Sequence, residues 1–86
     1  MKKYNVVVAQ SAEKVLYQLP KEVIPRITLA MQSLADNPYP VGCRKMSGEE
    51  NTFRIRVQNY RIVYEVHKKT ITIIVLKIGH RKDVYR

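Results

Sequence analysis

Acidic residues are scarce in this chain: seven Asp and Glu stand against sixteen Lys and Arg, a formal net charge of +9 over 86 residues. The shortage is sharpest in residues 52–86, where Glu65 and Asp83 face nine Lys and Arg, a net of +7; residues 1–51 carry only +2. Such asymmetry points to a polyanionic partner, whether nucleic acid, an acidic membrane surface or an acidic protein. A solvated basic surface kept for solubility is the alternative. Cysteine is limited to Cys43, which excludes an internal disulfide. The three glycines are isolated, so no Gly-rich phosphate loop is present. His67, His80 and Cys43 lack the clustering that a metal site needs. No Ser-His-acid set stands out, nor a strand-borne aromatic pair of the kind that stacks bases. No stretch approaches the ~18 apolar residues of a membrane span, and the apolar run after Lys2 and Lys3 is too short for a signal peptide. The expectation is a cytoplasmic protein with no metal, cofactor or membrane partner.

What is present fits one domain, residues 1–86, of modest stability. Residues 3–9, KYNVVVA, are rich in β-branched side chains and predict a strand. Ser11 is the expected N-cap of a first helix, with Glu13 in its first turn and Ala12, Val15, Leu16 and Leu19 at the spacing of a buried stripe. Pro20 ends that helix and can open a second, which runs to about Asp36 with Val23, Ile27, Ala30, Met31 and Leu34 inward. Pro25 either kinks its first turns or delays the regular helix to that point. Asn37-Pro38 stops it. A short strand near residues 44–46 and three longer ones near 52–58, 60–67 and 70–78 follow, then a tail, GHRKDVYR. The order β-α-α-β-β-β-β predicts an α+β fold, two N-terminal helices packed on one face of an antiparallel β-sheet. The last strand, apolar on both sides, is expected at its centre.

The stretch TFRIRVQNYRIVY, residues 52–64, reads as a hairpin. Phe53, Ile55 and Val57 share one face, leaving Arg54 and Arg56 on the other. A two-residue turn at Gln58-Asn59, or a four-residue loop from Val57 to Tyr60, sets Arg56 opposite Arg61. Like charges so placed destabilise a sheet by some tenths of a kcal/mol up to about 1. Glu65 lies on the same face and offers partial relief. Arginine stems snorkelling into water account for one such residue better than for three. Guanidinium forks match phosphate, so an anion site is the functional reading.

The phrase FRIRVQNYRIVYEV, then a strand and VLKIGHRKDVYR, resembles the RelE branch of the RelE/ParE toxin superfamily. The preceding LADNPYPVGCRKMSGEENTFRIR is similar to that family too, and the likeness spans nearly the whole chain. It implies the toxin of a type II toxin–antitoxin system: a ribosome-dependent, metal-independent endoribonuclease that cuts mRNA and inhibits translation. It also implies a RelB-like antitoxin encoded alongside, in a toxin–antitoxin hetero-oligomer. The family's two basic residues separated by one position match Arg54 and Arg56, and the next strand's arginine matches Arg61. Its arginine after the last strand and its tyrosine near the C-terminus match Arg81 and Tyr85. The implied reaction is attack of a ribose 2′-OH on the adjacent phosphodiester, with Tyr85 as base and Arg61 and Arg81 on the phosphate. The best-known family pattern carries lysines at the first two positions, one of them a proposed proton donor. Arginine, with a pKa above ~12, is a poor donor, which leaves His80 as the expected acid or the arginines acting by electrostatics alone. Lys45, Lys77, Lys82 and Arg86 are the expected additional RNA contacts.

Two other classes share these features. One is a non-catalytic inhibitor of DNA gyrase, as in the ParE branch. The other is a basic RNA- or ribosome-binding module in which Tyr85 is structural.

Overall fold

Five strands form one sheet in the order β1-β5-β4-β3-β2, with two helices packed against one of its faces. The structure is a computed structural model and describes residues 3–80. The elements are β1 (Asn5–Val8), α1 (Gln10–Gln18), α2 (Ile24–Ser33), β2 (Arg44–Lys45), β3 (Thr52–Val57), β4 (Tyr60–His67) and β5 (Thr72–His80). Their order is the one the sequence predicts, but the sheet is mixed rather than antiparallel. β2 to β5 form an antiparallel run, whereas β1 pairs parallel with β5, Val6 beside Ile73 and Val8 beside Val75. The reason is parity. The helical pair returns the chain so that β2 runs against β1, and three further reversals bring β5 back to β1's direction.

α1 starts one residue before the expected cap. Its N-cap is Ala9, with no side-chain cap bond. Ala9 N–H donates to the Val75 carbonyl at 2.8 Å while Glu13 N–H donates to the Ala9 carbonyl at 2.9 Å, so the sheet itself fixes where the helix begins. The predicted stripe faces inward, with Ala12 and Leu16 buried and Leu19 packed against the core. Pro20 opens a separate turn, its carbonyl accepting from Val23 and Ile24 N–H. The regular helix α2 then begins with Pro25 in its first turn, where a missing N–H costs nothing. Ile27, Met31 and Leu34 meet Ile62, Tyr64, Ile73 and Val75 in the core.

The loop after α2 is held from below. Buried Tyr64 donates its hydroxyl to the Pro38 carbonyl at 2.7 Å, and its ring stacks on Phe53, which meets Tyr39 edge-on. Burial raises the Tyr64 phenol far above its ordinary pKa, and neighbouring Cys43 and Tyr39 push the same way.

One irregularity in the β4–β5 ladder decides what lies on the uncovered sheet face. Val63 pairs with Lys77 and Tyr64 with Val75, so Leu76 is an extra residue in β5. The bulge resets the alternation: Ile73 and Val75 point to the helices, and so does Ile78, three residues further on rather than two.

Candidate phosphate-binding face

The hairpin has the predicted register. Val57 pairs with Tyr60 across the two-residue turn, and Arg56 faces Arg61. Gln58, first in that turn, takes a positive φ of 55°, which two-residue hairpin turns demand. Phe53, Ile55 and Val57 pack toward the helices, which leaves Arg54 and Arg56 with Arg61 on the far face. Arg56 is exposed, Arg54 half-buried, and Arg61 only 2% exposed with Nε and Nη1 out of contact with solvent. A cation held in such a low-dielectric setting attracts an anion more strongly than one in water.

The ladder registers extend this cluster across the sheet. Arg44 on β2 faces Arg54, Arg54 faces Val63, and Val63 faces Lys77 on β5. Directly paired residues share a face, so Arg44, Arg54 and Lys77 form one cross-strand row. Three strand spacings of ~4.8 Å give that row a length of about 14 Å. Arg56, Arg61 and Gly79 form the row beside it. Val63 is buried yet outside the core cluster, as expected if the long stems of its basic neighbours cover it. Glu65, on the same face, sets its Oε1 2.9 Å from His67 Nε2.

Two expected residues fall elsewhere. His80 pairs with Tyr60, their rings 5.8 Å apart and edge-on, and both line a groove of about 510 Å³ beside Val15 and Leu19 of α1. His80 therefore lies on the helix side of the sheet, not among the arginines. The bulge at Leu76 is the cause. An unbroken alternation from Val75 would send residue 80 to the arginine face and residue 77 to the helices, and the extra residue exchanges them. Lys45 is displaced for a similar reason: it pairs with Phe53, whose ring faces the helices. Its neighbour Arg44, which the sequence reading passed over, holds the place on the cationic face. A strand of two residues has no period from which its outward side can be read. Arg81, Lys82, Tyr85 and Arg86 lie outside the described residues.

Among the described residues, no group of three or more His, Cys, Asp or Glu is placed to hold a metal ion, and no helix is long and apolar enough to cross a membrane. The arrangement suits recognition of a phosphodiester and stabilisation of charge growing on its non-bridging oxygens.

Comparison with known proteins places the chain in a family and matches its fold. Residues 6–85 match the family of the ParE toxin of the type II toxin–antitoxin system, parDE. Toxin RelE3 of Methanocaldococcus jannaschii is 34% identical over 85 residues, covering 94% of each chain. Toxin RelG of Mycobacterium tuberculosis is 29% identical over 84 residues, covering 96% of this chain and 97% of the relative. Among solved structures, the archaeal RelE–RelB complex from Pyrococcus horikoshii OT3 superposes with a TM-score of 0.82 at 28% identity. It covers 92% of this chain and 96% of its counterpart.

Proposed function

This chain belongs to the RelE/ParE superfamily of toxins from type II toxin–antitoxin systems, and we propose that it is a ribosome-dependent endoribonuclease that cuts mRNA. The observation that carries this reading is the opposed pair Arg56 and Arg61 with Arg54 on the same face. Three guanidiniums gathered where they destabilise the sheet make physical sense if a phosphodiester occupies the face.

In the proposed reaction the ribose 2′-oxygen attacks phosphorus and the bond to the 5′-oxygen breaks. The products are a 2′,3′-cyclic phosphate and a 5′-hydroxyl. Arg61 and Arg81 hold the non-bridging oxygens, Arg54 and Arg56 position the backbone and add positive field, and Tyr85 takes the 2′-proton. With His80 on the helix side, the arginines act by electrostatics, and the leaving oxygen takes its proton from water. The partner we propose is a RelB-like antitoxin, the kind of protein with which the Pyrococcus horikoshii toxin is crystallised.

A second reading is supported by the description of the matching family, which names ParE. In that reading the basic face docks on DNA gyrase and nothing is cut. Incubation of the chain in a translating extract, with mapping of transcript ends, separates the two. New 5′-hydroxyl ends with matching cyclic phosphates, absent with Arg56→Ala, support the nuclease. Intact transcripts together with inhibited gyrase supercoiling overturn it.

A further inference from the structure

β2 pairs with β3 only through Arg44 and Lys45, opposite Arg54 and Phe53. Beyond Arg54 the outer edge of β3 therefore borders a groove of about 680 Å³ instead of another strand. One wall is cationic, formed by Arg44, Arg54 and Arg56; the other is formed by Ser33 of α2 with Pro40 and Val41 of the following loop. Gly42, with φ +92°, lets that loop take a left-handed turn that would strain an L side chain. Arg56 and Arg54 belong at once to this groove and to the cationic face, so the two are continuous.

We infer that this groove is a subsite for the single-stranded RNA flanking the cut, with Arg44 binding a backbone phosphate there. The inference rests on the nuclease reading and adds the direction of the strand: across the sheet along the row from Lys77 to Arg44, then over the β3 edge. Charge complementarity favours a nucleic acid strand. Arg44, Arg54 and Arg56 give one wall a charge complementary to backbone phosphates, and Pro40 and Val41 make the other wall apolar. A single strand, extended and flexible, can follow a groove that runs along a sheet edge.

The test is fluorescence anisotropy of the intact chain with a single-stranded 2′-O-methyl RNA oligonucleotide, which lacks the attacking hydroxyl and stays uncut. Affinity is measured across a range of salt concentrations for wild type, Arg44→Ala and Lys45→Ala. Both variants lose one positive charge, but only Arg44 lies on the cationic face. Arg44→Ala is expected to weaken binding several-fold and to reduce the salt slope by about 0.7, the release expected for one phosphate contact on a single strand. Lys45→Ala is expected to keep the wild-type slope. Equal slopes for the two variants, no change with Arg44→Ala, or no binding by wild type overturns the subsite. So does an Arg44→Ala effect confined to an Asp/Glu-rich peptide, which would make the groove a protein-binding site. Transcript cutting by wild type in the extract, scored in parallel, keeps failure of the subsite distinct from failure of the nuclease reading.

Discussion

Arg56 stands directly across the β3–β4 ladder from Arg61, one guanidinium exposed and the other buried. Like charges directly opposed across a ladder lower stability, so relieving the opposition should be measurable. Arg56→Thr keeps a good strand former in place and is expected to raise unfolding free energy by about 0.2–1 kcal/mol at low salt. The gain should shrink as salt screens the repulsion in wild type. Urea denaturation of both proteins at low and high ionic strength checks this, and a destabilised variant at low salt would contradict it.

Tyr64 anchors the loop that forms one wall of the β3-edge groove, through its 2.7 Å bond to the Pro38 carbonyl. Tyr64→Phe keeps the ring stack with Phe53 but leaves that carbonyl without the hydroxyl, a loss of about 1–2 kcal/mol. The pH dependence has a definite sign. The folded phenol titrates well above its ordinary value of 10.0, so above pH 10 the unfolded chain loses its proton first. Stability is therefore full below that pH and falls as pH rises beyond it. Denaturation midpoints between pH 9 and 11 should fall more steeply for wild type than for Tyr64→Phe, about one titrating group's worth.

The contrast between this hairpin and β5 shows what a sequence can convey. A two-residue turn fixes its own register, so the Arg56–Arg61 opposition is readable from spacing alone. The inward stripes of α1 and α2 are equally local, since each repeats along several turns. The parallel pairing of β1 is not local: it depends on counting every reversal between residues 8 and 72. The face of His80 depends on one extra residue at Leu76, and apolar residues on both sides of that strand hide the change of phase. The outward side of Arg44 is not legible because its strand is two residues long.

The bulge makes a prediction of its own. Deleting Leu76 places Val75 next to Lys77, which leaves a regular ladder with every downstream side chain on its present face. The deletion is expected to fold, at a cost of about 1–3 kcal/mol for the lost packing on the α1 groove. Deleting Ile55 instead, in the bulge-free β3–β4 ladder, slips Arg54 onto the core face opposite Ile62 and should prevent a cooperative transition. Thermal unfolding by circular dichroism distinguishes the two, and equal behaviour would refute the bulge's role in setting the faces.

The division of labour between the two sheet faces leads to a rate prediction. His80 sits against Tyr60 on the helix side, so His80→Ala should leave the rate of transcript cleavage within a few-fold of wild type. Arg56→Ala removes a cation from the face proposed to hold the phosphate. The loss of a group stabilising transition-state charge lowers turnover by about 10²–10³-fold. Because Arg56 is exposed, its removal does not open a cavity, and the loss should appear without a fall in stability. Cleavage time courses in a translating extract, run with purified variants at matched concentration, give both numbers. A large loss with His80→Ala would mean that the end of β5 moves on binding RNA and carries the imidazole to the scissile bond. An unchanged rate with Arg56→Ala would remove Arg56, and with it the meaning of its opposition to Arg61, from the chemistry.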